Sequence, residues 1–153
     1  MKVQDIMVRD VKSCRLDTNL AAAVEIMWTN DCGILPVLDG GGKVVAMITD
    51  RDICIAAGTR NQSPAQLTVF EVSPQNVYKC SAEDDIHTAL KTMQTQKVRR
   101  LPVVSRDDKL EGILCLNDIA LNSRKSDTLT YEDVMVTLKA ICEHRLLHQV
   151  KAA

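Results

Sequence analysis

The sequence predicts an α+β fold: two β-α-β-β-α units packed about a pseudo-twofold axis, followed by a C-terminal helix. Three observations carry that prediction. The chain repeats itself: ILPVLDGGGKVVAMITDRDI at Ile34 to Ile53 returns as RLPVVSRDDKLEGILCLNDI at Arg100 to Ile119, and VQDIMV at Val3 to Val8 returns in outline as VFEVSP at Val69 to Pro74. Positions 3 and 69, 36 and 102, and 52 and 118 are each 66 apart, and twelve identities fall on that offset without a gap. Each copy also reads helix, strand, turn, strand, helix, and a long periodic segment follows both copies. Two copies of one unit in 153 residues imply two packed copies in space, with clefts between them that can hold ligands.

The elements follow in order. In the first copy, Leu20 to Thr29 carries apolar residues at 20, 23, 24 and 27, a helical spacing, with Asp17, Thr18 and Asn19 ahead of it to supply N-cap oxygens. Ile34 to Leu38 and Lys43 to Ile48 are apolar runs separated by Asp39-Gly-Gly-Gly, which predicts strand, turn, strand. Thr49 to Asp52 then opens a helix that ends near Gly58. Arg60 to Gln66 is polar with a proline and predicts a linker, placed at 59–68 between a first unit at 1–58 and a second at 69–123. In the second copy, Ser81 to Asp85 caps a helix running through Gln94. Leu101 to Val104 and Leu110 to Leu114 are strands around a polar turn, and Asn117 and Asp118 open a helix to about Asn122. After a polar break at Arg124 to Thr128, Tyr131 to Val150 predicts the C-terminal helix, assigned to 130–150, with Thr130 and Asp133 at capping-box-like spacing.

Composition narrows the classes of function. Hydrophobic residues make up 46% and charged residues 25%, as in globular domains. Aromatics are only 3%, so the core is Val, Ile, Leu, Met and Ala, and stacking platforms for single-stranded nucleic acid are lacking. A net charge of −1 gives no field that would gather nucleic acid or an acidic membrane surface. Six cysteines show no CxxC spacing. Cys14 and Cys80 recur as a repeat pair inside apolar stretches, which reads as small buried side chains in a reducing compartment rather than a disulfide framework or a zinc site. No secretory signal opens the chain and no stretch reaches the roughly 20 apolar residues of a membrane span, so a cytoplasmic protein is expected.

The chemistry concentrates at two strand-to-helix junctions, Ala46-Met-Ile-Thr-Asp-Arg-Asp52 and Gly112-Ile-Leu-Cys-Leu-Asn-Asp118. Each places a hydroxyl or thiol, then polar groups, then a carboxylate at a helix N-terminus. Free backbone N–H groups there can take a phosphate. A carboxylate suits the vicinal hydroxyls of a ribose, and Arg51 adds a guanidinium for phosphate oxygens. For one junction alone, the competing reading is that Thr49 or Asp50 simply caps the helix.

Two copies of an LPV strand, a Gly- or Asp-containing turn, and a G-h-h-[ST]-x-x-D junction followed by Ile resemble a tandem pair of CBS (cystathionine-β-synthase) domains, also called a Bateman module. The resemblance covers about residues 1 to 123. It implies two units packed through their sheets, with two clefts for adenosine-containing ligands such as AMP, ADP, ATP, NAD or S-adenosylmethionine. It makes Asp52 the ribose carboxylate, with Asp50 and Arg51 beside it, Thr49 the hydroxyl near ribose and phosphate, and Ile34, Leu35 and Pro36 the adenine wall. In the second copy Cys115, Asn117 and Asp118 take these places. Cys115 stands where Ser or Thr is expected, and a thiol is a weak hydrogen-bonding group, so the stronger site is expected at Thr49 and Asp52. Arg99 and Arg100 have Gly33 and Ile34 as counterparts and could reach phosphate in the shared cleft.

No nucleophile stands coupled to a base, so no catalytic residue is assigned and the chain reads as a non-enzyme. His144 and His148 are four apart on the last helix without a third ligand, which reads as a surface face, and no metal is assigned. His87, near Asp84 and Asp85, reads as helix-end electrostatics. The expected function is a stand-alone regulatory module with an adenine ligand, a homodimeric state and an unknown regulated protein, binding neither nucleic acid nor membrane. A ligand-free structural or dimerisation module is the alternative.

Overall fold

The computed structural model describes residues 1–125 and 128–143. Its five strands and six helices are β1 (Cys14–Arg15), α1 (Leu20–Thr29), β2 (Ile34–Leu38), β3 (Val44–Thr49), α2 (Asp50–Thr59), α3 (Val69–Val72), α4 (Ile86–Gln96), β4 (Arg100–Val104), β5 (Leu110–Cys115), α5 (Leu116–Asn122) and α6 (Tyr131–Cys142). The α+β class, the two repeats and the C-terminal helix are those the sequence predicts.

Each repeat is built on an antiparallel hairpin, β2–β3 in the first and β4–β5 in the second. The leading strand is nearly lost. β1 pairs in parallel with β2 over two residues, and its counterpart is the single bridge between Cys80 and Val103. The hairpin turns are closed by side chains at equivalent positions. Asp39 Oδ1 accepts from Gly41 N (2.8 Å) and Lys43 N (2.9 Å), and Ser105 Oγ accepts from Asp107 N and Lys109 N (both 3.2 Å). Both turns need one left-handed residue, supplied by Gly42 (φ 80°) and Asp108 (φ 64°).

The pseudo-twofold axis can be located from pairing alone. Lys43 bridges Lys109, its own repeat-mate, and a residue paired with its mate must sit beside the axis. Two further bridges, Lys2 to Asp85 and Thr68 to Asn19, map onto each other by the same 66-residue offset. They show that the opening segments of the copies are exchanged. Val3 N donates to Asp84 O and Ile86 N to Met1 O; in the other half Val69 N donates to Thr18 O and Leu20 N to Leu67 O. Val3, fully buried, belongs to the core formed by α4, β4 and β5, and Leu67 and Val69 belong to the core formed by α1, β2 and β3.

The linker is ordered around a short 3-10 turn at Pro64–Gln66, and Arg60 Nη2 donates to Glu71 O at 2.8 Å. α4 runs two residues beyond Gln94, to where Lys97 turns left-handed (φ 54°). α6 starts as predicted, with Asp133 Oδ2 accepting from Thr130 N (2.8 Å) and Oγ1 (2.7 Å). It packs along α4 and against α5, with fully buried Leu129 at its approach. The predicted extension to Val150, with His144 and His148, lies outside the described residues. Among the described residues no helix is long and apolar enough to cross a membrane.

Because each core is completed by the other copy's opening segment, the halves are expected to unfold together. Val69→Ala removes two buried methyl groups from the first core and should cost about 2 kcal/mol. Hydrogen exchange should show α1 and α4 losing protection together in this variant. Loss confined to α1 would mean that the halves are independent.

Candidate functional site

Two clefts open between the copies. The first, about 710 Å³, is lined by residues of both copies, among them Ile34, Met47, Thr49, Arg51, Asp52, Pro74, Tyr78, Lys97, Val98, Arg99, Arg100 and Ile141. The second is about 350 Å³ and includes Val8, Asp10, Lys12, Asp31, Gly33, Ile34, Arg100, Ile113 and Cys115. Every residue lining the second stands 66 positions from one lining the first, so the two are pseudo-twofold mates.

The first cleft gathers Thr49, Arg51, Asp52, Ile34, Arg99 and Arg100, as expected from sequence. Thr49 is the N-cap of α2. Asp52 N donates to Thr49 Oγ1 (3.2 Å), while Asp52 Oδ2 accepts from Thr49 N (3.0 Å) and Oγ1 (2.6 Å). Capping and ligand contact are therefore compatible: the cap uses Oδ2, and among the described residues Oδ1 has no partner.

One expectation is corrected. The first amides of α2 are not free for a phosphate, because Asp50 N donates to Gly33 O (3.2 Å), Arg51 N to Asp50 Oδ1 (2.7 Å) and Asp52 N to Thr49. Anion binding in this cleft must come from side-chain cations. Among the described residues four of these line it, Arg51, Lys97, Arg99 and Arg100, and Asp52 is the one carboxylate in its lining. Among the described residues no carboxylate pairs with Arg51 or Arg99.

The other predicted residues lie elsewhere. Leu35 and Pro36 are buried in β2, with Leu35 in the first core, and only Ile34 of that trio reaches the cleft. Asp50 faces a separate hollow beside Gly33 and Cys54. Asn117 and Asp118 line neither of the two clefts; Asp118 Oδ2 accepts from Cys115 N at 2.9 Å. Sequence reading missed Lys97, Met47, Tyr78, Val98 and Ile141. Lys97 was within reach, since it stands two residues before the arginine pair. Ile141 carried no signal, because it lies outside the repeat.

The clefts differ in size for a backbone reason. Val8 and Ile113 exchange two 2.9 Å hydrogen bonds, which pull the opening segment onto β5. A Cβ on Gly112 would meet Val8 O at 2.7 Å, so glycine is required there. The equivalent two-bond bridge, Pro74 to Met47, cannot form because proline has no N–H to donate, and neither of its bonds is present. The segment stands off, the first cleft is wider, and Ala46 fits where its mate must be glycine. The charge differs as well: the second cleft balances Lys12 and Arg100 with Asp10 and Asp31.

The CBS domain profile matches residues 3–58 and 69–124. The chain belongs to the CBS domain family. It is 32% identical over 139 residues to hypoxic response protein 1 of Mycobacterium tuberculosis, covering 91% of this chain and 92% of that one. A solved structure of Hypoxic Response Protein I with two coordinated zinc ions superposes with a TM-score of 0.73 at 31% identity, over 81% of this chain and 100% of that one. The fold is shared with a CBS domain pair in complex with 5-methylthioadenosine and S-adenosyl-L-methionine (TM-score 0.72, 23% identity, 79% of this chain and 94% of that one). It is shared too with CBSX2 in complex with AMP (TM-score 0.69, 22% identity, 78% and 93%). Among the described residues of this CBS pair, no three His, Cys, Asp or Glu side chains converge as metal ligands.

All six cysteines are free; Cys14 and Cys80 are buried, and Cys54 and Cys142 are exposed. In the second cleft, burial pushes the Cys115 thiol up to about 11, with Asp118 adding to the rise and Arg100 opposing it. The raised value favours the neutral thiol, so only about a thousandth is thiolate at pH 8. Alkylation of Cys115 by iodoacetamide, followed by mass spectrometry, should therefore accelerate about tenfold per pH unit from 8 to 10. A rate that levels off by pH 9 would contradict this environment.

Proposed function

We propose that this CBS pair is a non-catalytic regulatory module that binds an adenine nucleotide in its first cleft. The observation that carries the reading is the charge around that cleft: among the described residues four cations line it with Thr49 and Asp52, whereas the lining of the twin cleft is balanced. Asp52 Oδ1 would accept the ribose hydroxyls, acceptor to donor. Ile34, Met47, Val98 and Tyr78 supply apolar surface for the base. Arg51, Arg99 and Arg100 would meet the phosphates.

Relatives of this fold hold both AMP and S-adenosyl-L-methionine. The cation excess favours AMP, ADP, ATP or NAD over the sulfonium ligand, because like charges at close range repel. The narrower second cleft, with its neutral thiol and balanced charge, would stay empty of nucleotide. A ligand that binds the two conformations of the pair unequally shifts their populations, and a regulated partner would read that shift.

Asp52→Ala should lower ADP affinity at least tenfold by calorimetry. Loss of the two bonds that Asp52 Oδ2 accepts from Thr49 should also cost about 1 kcal/mol without unfolding the chain, because Thr49 still caps α2. Unchanged affinity would exclude Asp52 from the ribose. A melting-temperature panel with AMP, ADP, ATP and NAD separates this reading from a ligand-free structural module, since any ligand of the native state raises the transition.

The module would also be a homodimer. Large apolar side chains remain exposed on the helices, with Val24 and Trp28 on α1, Ile55 on α2, Leu121 on α5 and Met135 on α6. Trp28 is 85% exposed, and its repeat-mate Gln94 is instead engaged by α6, donating to Thr137 Oγ1 at 2.8 Å. A second copy would cover this face. Trp28→Glu should convert the dimer to monomer in sedimentation at micromolar concentration, and an unchanged mass would place the contact elsewhere.

A further inference from the structure

α6 lies outside both repeats, yet its last turn reaches the first cleft. Ile141 lines that cleft beside Lys97. Lys97 Nζ, meanwhile, donates to Glu143 Oε2 (3.0 Å) and to Glu143 O (3.2 Å). Lys97 is thus at once a cleft-lining cation and the residue that ties down the end of α6. The side chains are unequally placed: Lys97 is 24% exposed and Glu143 is 73% exposed. The lysine is held against the protein, while the carboxylate can leave into water at little cost. The second cleft has no such arrangement, because Asp31 occupies the equivalent position.

We propose that Lys97 is a phosphate-binding residue for which Glu143 is the built-in competitor, so that an anionic ligand in the first cleft releases the last turn of α6. The proposal rests on the reading of that cleft as a nucleotide site. A polyphosphate draws the ammonium inward and repels the Glu143 carboxylate, and both effects act against the tie. The rest of α6 stays docked, because it is held independently by buried Leu129 and by the Gln94–Thr137 hydrogen bond. Coupling between two binding equilibria is reciprocal: what the ligand does to Glu143, Glu143 does to the ligand. The two-repeat body thereby acquires an output from outside the repeats, a helical turn whose docking reports cleft occupancy.

The test is calorimetric titration with two probes, ADP and tripolyphosphate, on the full chain and three variants. Lys97→Asn removes the cation but keeps a residue that tolerates left-handed backbone. It should weaken both probes about tenfold. Glu143→Gln removes the competitor and should tighten both about two- to fivefold, the range of an exposed ion pair. In the double variant the Glu143 effect should vanish. Hydrogen exchange at residues 138–143 should speed up when probe is added. The proposal is overturned if Glu143→Gln leaves affinity unchanged, if it tightens binding equally without Lys97, or if the last turn becomes more protected. If tripolyphosphate gives the full pattern and ADP does not bind, the nucleoside reading fails while the Lys97 switch stands. If neither probe binds the unaltered chain, both fail.

Discussion

The exchange of opening segments across the pseudo-twofold axis is the constraint on which the rest of this structure depends. Val3 completes the core of the second repeat, and Leu67 and Val69 complete that of the first. Each hairpin-and-helix unit supplies its own aliphatic side chains, among them Leu20, Leu35 and Ile48 in the first and Leu90, Met93 and Leu114 in the second, but its core is completed only by residues of the other copy's opening segment. The borrowed aliphatic residues do this, and the backbone bonds from Val3 to Asp84 and from Val69 to Thr18 fix their depth. The two halves are therefore held in one relative orientation, and the clefts between them have defined walls.

That symmetric frame carries an asymmetric pair of sites, and the asymmetry begins in the backbone. A residue that can donate, Val8, closes one cleft through a two-bond bridge to Ile113, and a residue that cannot, Pro74, leaves the other open. Gly112 and Ala46 follow from this difference, since the Cβ that clashes beside Val8 has room beside Pro74. Side-chain charge reinforces it. Lys97, Arg99 and Arg51 in one cleft face Asp31, Gly33 and Asn117 at the matching positions in the chain. Duplication supplied two pockets, and substitution on the shared frame made one of them cationic.

The C-terminal helix breaks the symmetry further. It covers α4, while Trp28 on the equivalent helix α1 is left exposed, and it delivers Ile141 to the wider cleft and Glu143 to Lys97. His87, which reads in the sequence as helix-end electrostatics, is also 3.6 Å from Asp133 and so spans α4 and α6. Hydrogen bonds from Thr130 hold the Asp133 carboxyl below its usual range, with His87 a lesser contributor, so this end of α6 keeps its charge at neutral pH.

By itself the sequence determined the repeat, its register, most helix and strand boundaries, and the gathering of Thr49, Arg51, Asp52, Arg99 and Arg100. These are local or periodic properties: caps, turns and apolar spacing act over a few residues, and a 66-residue offset is visible to counting. Only the tertiary structure decided that the opening segments cross over, that the α2 amides are already spent, that Leu35 and Pro36 are both buried away from the cleft, and that Lys97 and Ile141 join the site. Each of these depends on contacts between residues far apart in the chain. A side chain's direction at a strand end, or an amide's chosen acceptor, is set by which neighbour packing brings closest, and no local pattern encodes that neighbour.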